Sequence, residues 1–141
     1  MLLRANSLLQ TKEIASTIAL KLHTTPCLLL RGGLGAGKTT FSKFLIHELT
    51  KIPVEEILSP TYSYMHLYSE KIAHFDLYRI VSFDSLEELG LEEVLTDPAF
   101  IKIIEWPDVA LSLLPRNRIE ITIDTLDNEE RSFTIQEVMS A

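Results

Sequence analysis

The sequence has one cysteine, one tryptophan and no apolar run approaching the roughly 20 residues a membrane span needs. A lone cysteine, Cys27, excludes an intrachain disulfide and a cysteine-built zinc site. Set in the apolar run Cys27–Arg31 (CLLLR), it reads as a small buried hydrophobe of a strand. Positive charge is scarce and dispersed: 13 Lys and Arg against 20 Asp and Glu leave a net charge of −7, and no basic run occurs. Such a chain gains nothing from long-range attraction to a phosphate backbone, so it is not expected to be the part of an assembly that grips nucleic acid. Met1–Leu9 carries one arginine and a short apolar patch, with no long hydrophobic region or small-residue cleavage site, so the expected location is cytoplasmic. There is no repeat, low-complexity tract or linker-like shift. At 141 residues, 46% hydrophobic and 23% charged, the expectation is one domain over 1–141.

The elements follow from periodicity. Thr11–Leu22 puts Ile14, Ile18 and Leu22 four apart on a helical face, with Ser7 or Thr11 as its N-cap. Cys27–Arg31 has the almost wholly apolar character of a central parallel strand buried on both faces. Thr40–Leu49 spaces Phe41, Phe44, Leu45 and Leu49 as a helix. Tyr62–Tyr68 and Ile72–Leu77 read as strands joined by a tight turn at Ser69–Lys71, and Asp84–Leu95 as a helix interrupted near Gly90. Ile101–Trp106 is a further buried strand, Asp108–Leu114 a short helix, and Arg118–Asp124 with Arg131–Glu137 a closing hairpin across Leu126–Glu130. The fold class is therefore α/β: a mostly parallel central sheet flanked by helices, with antiparallel hairpin additions at its edges.

Glycine is also scarce, and where it falls is informative: four of the five glycines lie between positions 32 and 37. Gly32-Gly33-Leu34-Gly35-Ala36-Gly37-Lys38-Thr39 fits G-x-x-x-x-G-K-[ST], the phosphate loop, with an apolar strand before it and a helical pattern after it. By residue frequencies a chain of this length meets that pattern by chance on the order of once in a few hundred. Glycines let the backbone take positive φ and approach a ligand closely. Successive N–H groups then form an anion nest, to which the following helix adds its positive end. In this pattern Lys38 reaches the β- and γ-phosphates and the Thr39 hydroxyl ligates magnesium.

A phosphate loop needs a carboxylate from another strand to hold magnesium or position water. Asp76 closes Ile72-Ala73-His74-Phe75-Asp76 and Glu105 closes Ile101-Lys102-Ile103-Ile104-Glu105, so either fits the carboxyl edge of a parallel sheet. Spacing leaves the choice open, with a lean towards Glu105 for the metal because its strand is the more continuously apolar. Ser59-Pro60-Thr61 occupies the place of a γ-phosphate-sensing threonine, although the same residues suit an ordinary turn. Trp106 belongs either to the core or beside the nucleotide.

Four strings in this order, Gly-Ala-Gly-Lys-Thr-Thr-Phe (35–41), Ser-Pro-Thr-Tyr (59–62), His-Phe-Asp-Leu-Tyr-Arg (74–79) and Glu-Trp-Pro (105–107), closely resemble the TsaE (YjeE) family over about positions 7 to 124. That family is the ATPase subunit of the bacterial machinery that makes threonylcarbamoyladenosine in tRNA. The resemblance implies slow ATP hydrolysis that resets a partner complex of two related subunits, one of which carries the transferase site. Contact with tRNA, at the adenosine beside the anticodon, would come through those partners and agrees with the acidic charge. It further implies nucleotide binding by Gly35, Ala36, Gly37, Lys38, Thr39 and Thr40, magnesium at Thr39 and Glu105, a switch at Thr61, and an activity-essential role for Asp76. Trp106 would lie close to the nucleotide, and adenine near Ser7. One departure is Gly33, where many relatives have Asp. The rival reading is a small P-loop kinase, which needs an acceptor pocket and usually an arginine-bearing lid. The six arginines, Arg4, Arg31, Arg79, Arg116, Arg118 and Arg131, are unclustered in sequence, and none is obviously placed as a finger in cis. A third reading, a nucleotide-dependent binding module that hardly hydrolyses ATP, overlaps the family one.

Overall fold

The computed structural model describes residues 1–139; the last two positions of the expected 1–141 domain lie outside the described residues. Seven strands form one sheet: β1 (Leu2–Ala5), β2 (Cys27–Arg31), β3 (Met65–Tyr68), β4 (Ile72–Asp76), β5 (Ile101–Glu105), β6 (Arg118–Thr125) and β7 (Arg131–Val138). Their spatial order is β1-β7-β6-β2-β5-β4-β3. The middle four, β6, β2, β5 and β4, pair in parallel, whereas β3, β7 and β1 join antiparallel at the two edges. This is the expected α/β architecture, parallel in the centre with hairpins outside. Strand β1 was not foreseen from the sequence. It is four residues long and only its last residue is buried, so it carries almost no periodicity.

Helices cover both faces of β2, β5 and β4, which is why those strands are buried almost throughout, whereas β6 alternates buried apolar with polar residues. Helix α1 (Leu8–Leu22), capped by Ser7 accepting from the Gln10 amide, and α2 (Lys38–Thr50) pack on one face. There Ile14, Ile18, Phe41 and Leu45 meet Leu28, Leu30, Ile103 and Ile121. On the other face the short helices α3 (Phe83–Glu88) and α4 (Glu92–Leu95) and a 3-10 turn over Pro107–Leu113 cover Leu29, Phe75 and Ile104. Gly90, at φ +74, separates α3 from α4 where the sequence suggested an interruption. Cys27 lies fully buried in β2, where burial pushes its thiol up to about 11 and leaves it unreactive at neutral pH. Among the described residues no helix is long and apolar enough to cross a membrane.

Parallel pairing sets the position of everything functional. Leu30 of β2 pairs with Glu105 of β5, and Glu105 pairs with Asp76 of β4, so both carboxylates end their strands beside the segment that leaves β2. That segment is the glycine loop, and it opens at Gly32 with φ +151. A Cβ at Gly32 would come within 2.5 Å of the Ile123 carbonyl oxygen of β6, a backbone atom that cannot swing aside. Gly32→Ala is therefore expected to destabilise the fold by about 1–3 kcal/mol, the usual cost of overpacking, measured by urea denaturation. An unchanged midpoint would contradict this account of the loop's first glycine.

Candidate functional site

The loop is built from conformations that only glycine takes cheaply. Gly35 and Gly37 sit at φ +77 and +103, and Gly37 is the residue that caps α2. No side chain caps the first turn of α2, leaving its leading amides available to an anion. Gly33 has a different status: a Cβ there meets nothing within 4 Å and its φ is not in the left-handed region, so an Asp in its place meets no steric bar.

Lys38, the first residue of α2, is buried, with its Nζ folded back onto its own loop. It donates to the carbonyl oxygens of Gly32 at 2.6 Å and Gly33 at 2.8 Å, and stands 4.1 Å over the Trp106 ring. Burial pulls its pKa down, while the fields of Glu105 and Asp76 push it back up. Two carbonyls and an aromatic face thus satisfy the Lys38 ammonium.

Glu105 is the centre of the polar contacts. Its Oε1 accepts from the Thr39 hydroxyl at 3.0 Å, and its Oε2 accepts from Ser42 Oγ at 3.3 Å and meets His74 Nε2 at 2.5 Å. Asp76 takes a different set: Oδ2 accepts from Thr61 Oγ1 at 3.3 Å and Oδ1 from the Tyr78 amide at 3.1 Å. Thr61 is further tied to Ser59, with 2.6 Å between their hydroxyl oxygens. Trp106 lies at the bend after β5 with φ 56, a left-handed conformation that costs a bulky residue on the order of 1–3 kcal/mol, and stacks at 4.7 Å on Tyr78. The oxygen-only pair of Thr39 and Glu105 suits magnesium, which takes one or two protein oxygens and keeps the rest for phosphate and water.

Gly35 through Thr40, Thr61, Asp76, Glu105 and Trp106 line one cavity of about 440 Å³. A second cavity of about 380 Å³ shares Ala36, Gly37, Thr40 and Arg131 with it, and extends to Ser7, Thr11 and Phe133 at the start of α1. Both volumes fall in the range of small-molecule sites, roughly 300–1,000 Å³. The arginines depart from the sequence reading, because Arg79 and Arg131 line the first cavity together. Their convergence is a product of the fold: Arg131 opens β7, 95 residues from the Ala36 carbonyl to which its Nε donates at 3.0 Å. With Lys38 they give three cations against the two carboxylates Asp76 and Glu105, so this acidic protein carries a locally cationic cleft. His74, quoted only as the first residue of the 74–79 string, and Ser42 were given no role by the sequence reading.

Because Trp106 is the only tryptophan and lies over Lys38, its emission reports on the loop. Adding ATP to the protein is expected to change the intrinsic fluorescence saturably, and Lys38→Met to abolish most of that change. A flat titration at saturating ATP would contradict the placement of Trp106 beside the phosphate loop.

The family model for threonylcarbamoyl adenosine biosynthesis protein TsaE matches residues 5–133. A Rickettsia prowazekii protein named tRNA threonylcarbamoyladenosine biosynthesis protein TsaE is 36% identical over 133 residues, covering 92% of this chain and 90% of that one. A Bacillus subtilis protein of the same name is 34% identical over 134 residues, covering 92% and 80%. Among solved structures, Bacillus subtilis YdiB superposes with a TM-score of 0.71 at 26% identity, covering 99% of this chain and 86% of that one. A phosphate loop between β2 and α2, two carboxylates at the ends of neighbouring parallel strands, and these matches over nearly the whole length lead to one conclusion: the chain belongs to the TsaE family of tRNA threonylcarbamoyladenosine biosynthesis.

Proposed function

We propose that this chain, acting as one nucleotide-binding domain in the cytoplasm, binds magnesium-ATP in the 32–39 loop and hydrolyses it slowly. The hydrolysis would reset a transferase complex of two partner subunits that modifies the adenosine beside the tRNA anticodon. The observation that carries the reading is the cleft itself, in which Lys38, the Thr39–Glu105 pair and the Thr61–Asp76 pair line one cavity.

In this reading Gly35, Ala36, Gly37, Lys38, Thr39 and Thr40 hold the phosphates through backbone amides, the Lys38 ammonium and the helix end. Thr39 and Glu105 hold magnesium, which when bound neutralises charge on the phosphates. Asp76 orients the attacking water or relays the state of the site. Thr61, hydrogen-bonded to Asp76, would exchange that partner for the γ-phosphate. Trp106 packs beside the nucleotide, and the second cavity, at Ser7, takes adenosine.

Slow turnover follows from the arginines. Arg131 is engaged by the carbonyls of Ala36 and Glu129, and Arg79 lies 4.4 Å over the Tyr62 ring, so neither is a ready finger for transition-state charge. In this reading the partner subunits would free such a group by displacing its present contacts. Magnesium-ATP turnover by the isolated chain is expected to stay below about 10⁻² s⁻¹, as in P-loop switches without a supplied arginine. It should rise several-fold when the two partner subunits are added. Brisk turnover by the chain alone, indifferent to partners, would contradict the proposal and favour a free-standing enzyme.

A further inference from the structure

His74 is fully buried in the middle of β4, one strand from β5. Its Nε2 lies 2.5 Å from Glu105 Oε2. A carboxylate that serves as a cation ligand can only accept, so in that role Glu105 requires the ring proton on Nε2. The other ring nitrogen, Nδ1, is the one buried side-chain polar atom among the described residues with no hydrogen-bond partner. A histidine kept only for packing and internal polar satisfaction has both nitrogens partnered. Here the ring directs its whole hydrogen-bonding capacity at one carboxylate.

The two oxygens of that carboxylate are divided accordingly. Oε2 is occupied by the imidazole and by Ser42 Oγ, both from inside the fold. Oε1 is left to the Thr39 hydroxyl, on the side of the phosphate loop. Glutamate has three rotatable side-chain bonds, and without the imidazole only the longer contact from Ser42 Oγ, at 3.3 Å, would hold Oε2. We propose that His74 is a positioning residue: its Nε2–H clamps Glu105 Oε2 so that Oε1 stays presented, with Thr39, to the cation that accompanies the nucleotide. This inference rests on the reading of Thr39 and Glu105 as the magnesium pair. It assigns a purpose to the first residue of the His74–Arg79 string, which no other part of the site uses. Imidazole and carboxylate partners of a metal-binding side chain serve in the same way elsewhere, by fixing the orientation of the group that touches the ion.

The test compares the affinity for ATP with magnesium and with EDTA, by calorimetry, on the full chain. The ratio of the two affinities isolates what the metal adds, and a loss that is merely structural lowers both affinities and leaves the ratio alone. In His74→Leu the ratio is expected to fall about tenfold or more, the usual effect of losing such a partner. His74→Gln, whose amide N–H can still donate towards Glu105, should recover most of it. A folded His74→Leu variant with the wild-type ratio would overturn the inference. Glu105→Gln separates the two layers: if it loses the ratio while His74→Leu keeps it, the positioning role alone fails. If Glu105→Gln also keeps the ratio, the metal pair fails and the inference falls with it. Should His74→Leu not fold, ¹⁵N-histidine spectra of the wild-type protein decide. The inference expects a protonated Nε2 whose signal shifts more on adding magnesium-ATP than ATP in EDTA. A bare Nε2, or equal shifts, would overturn it.

Discussion

The site depends on the side-by-side ending of three parallel strands. β2 stops at Arg31 and releases the glycine loop, β5 stops at Glu105, and β4 stops at Asp76, with Leu30, Glu105 and Asp76 in one register row. Parallel strands end at the same edge of a sheet, so a ligand crevice forms there without any dedicated scaffold. The cost is borne by the core, because strands buried on both faces need helices on both sides. α1 and α2 supply one side, and α3, α4 and the 107–113 turn supply the other. A slip of one residue between β4 and β5 would turn Asp76 or Glu105 to the opposite face and dismantle the cleft.

Electrostatics then divides the molecule into two scales. At long range the chain is acidic, with a net charge of −7, and repels polyanions. At short range Lys38, Arg79 and Arg131 line the cleft, and each is held by the chain itself: by loop carbonyls, by the Tyr62 ring, and by the carbonyls of Ala36 and Glu129. The carboxylates are satisfied too, Glu105 by Thr39, Ser42 and His74, and Asp76 by Thr61 and the Tyr78 amide. Every charged group that lines the cleft is thus held by contacts made within the chain itself.

The parts of this arrangement that were readable in the sequence are those in which chemistry and local geometry coincide. The glycine loop is legible because only glycine takes the φ values at Gly35 and Gly37 and tolerates the Ile123 carbonyl at Gly32. Strand β5 is legible because a strand covered on both faces is mostly apolar, and of its two charged residues, Lys102 and Glu105, only Glu105 stands at the carboxyl end where a site forms. The strand expected from Tyr62 begins instead at Met65, since residues 61–63 turn to bring Thr61 towards Asp76, and that turn has no periodicity to read. β1 is too short and too exposed to leave a pattern. The roles of Arg131 and His74 were illegible for a deeper reason. They come from partners 95 and 31 residues away, a matter of strand order and register on which local spacing is silent.

The claim at the centre is that the 32–39 loop holds the phosphates of ATP through Lys38. Equilibrium dialysis of ATP against the wild-type protein and against Lys38→Ala tests it, with circular dichroism to establish that both are folded. The account expects a loss of at least about tenfold in affinity for the variant, in keeping with one hydrogen bond between charged groups. A folded Lys38→Ala protein that binds ATP as tightly as the wild type would contradict it.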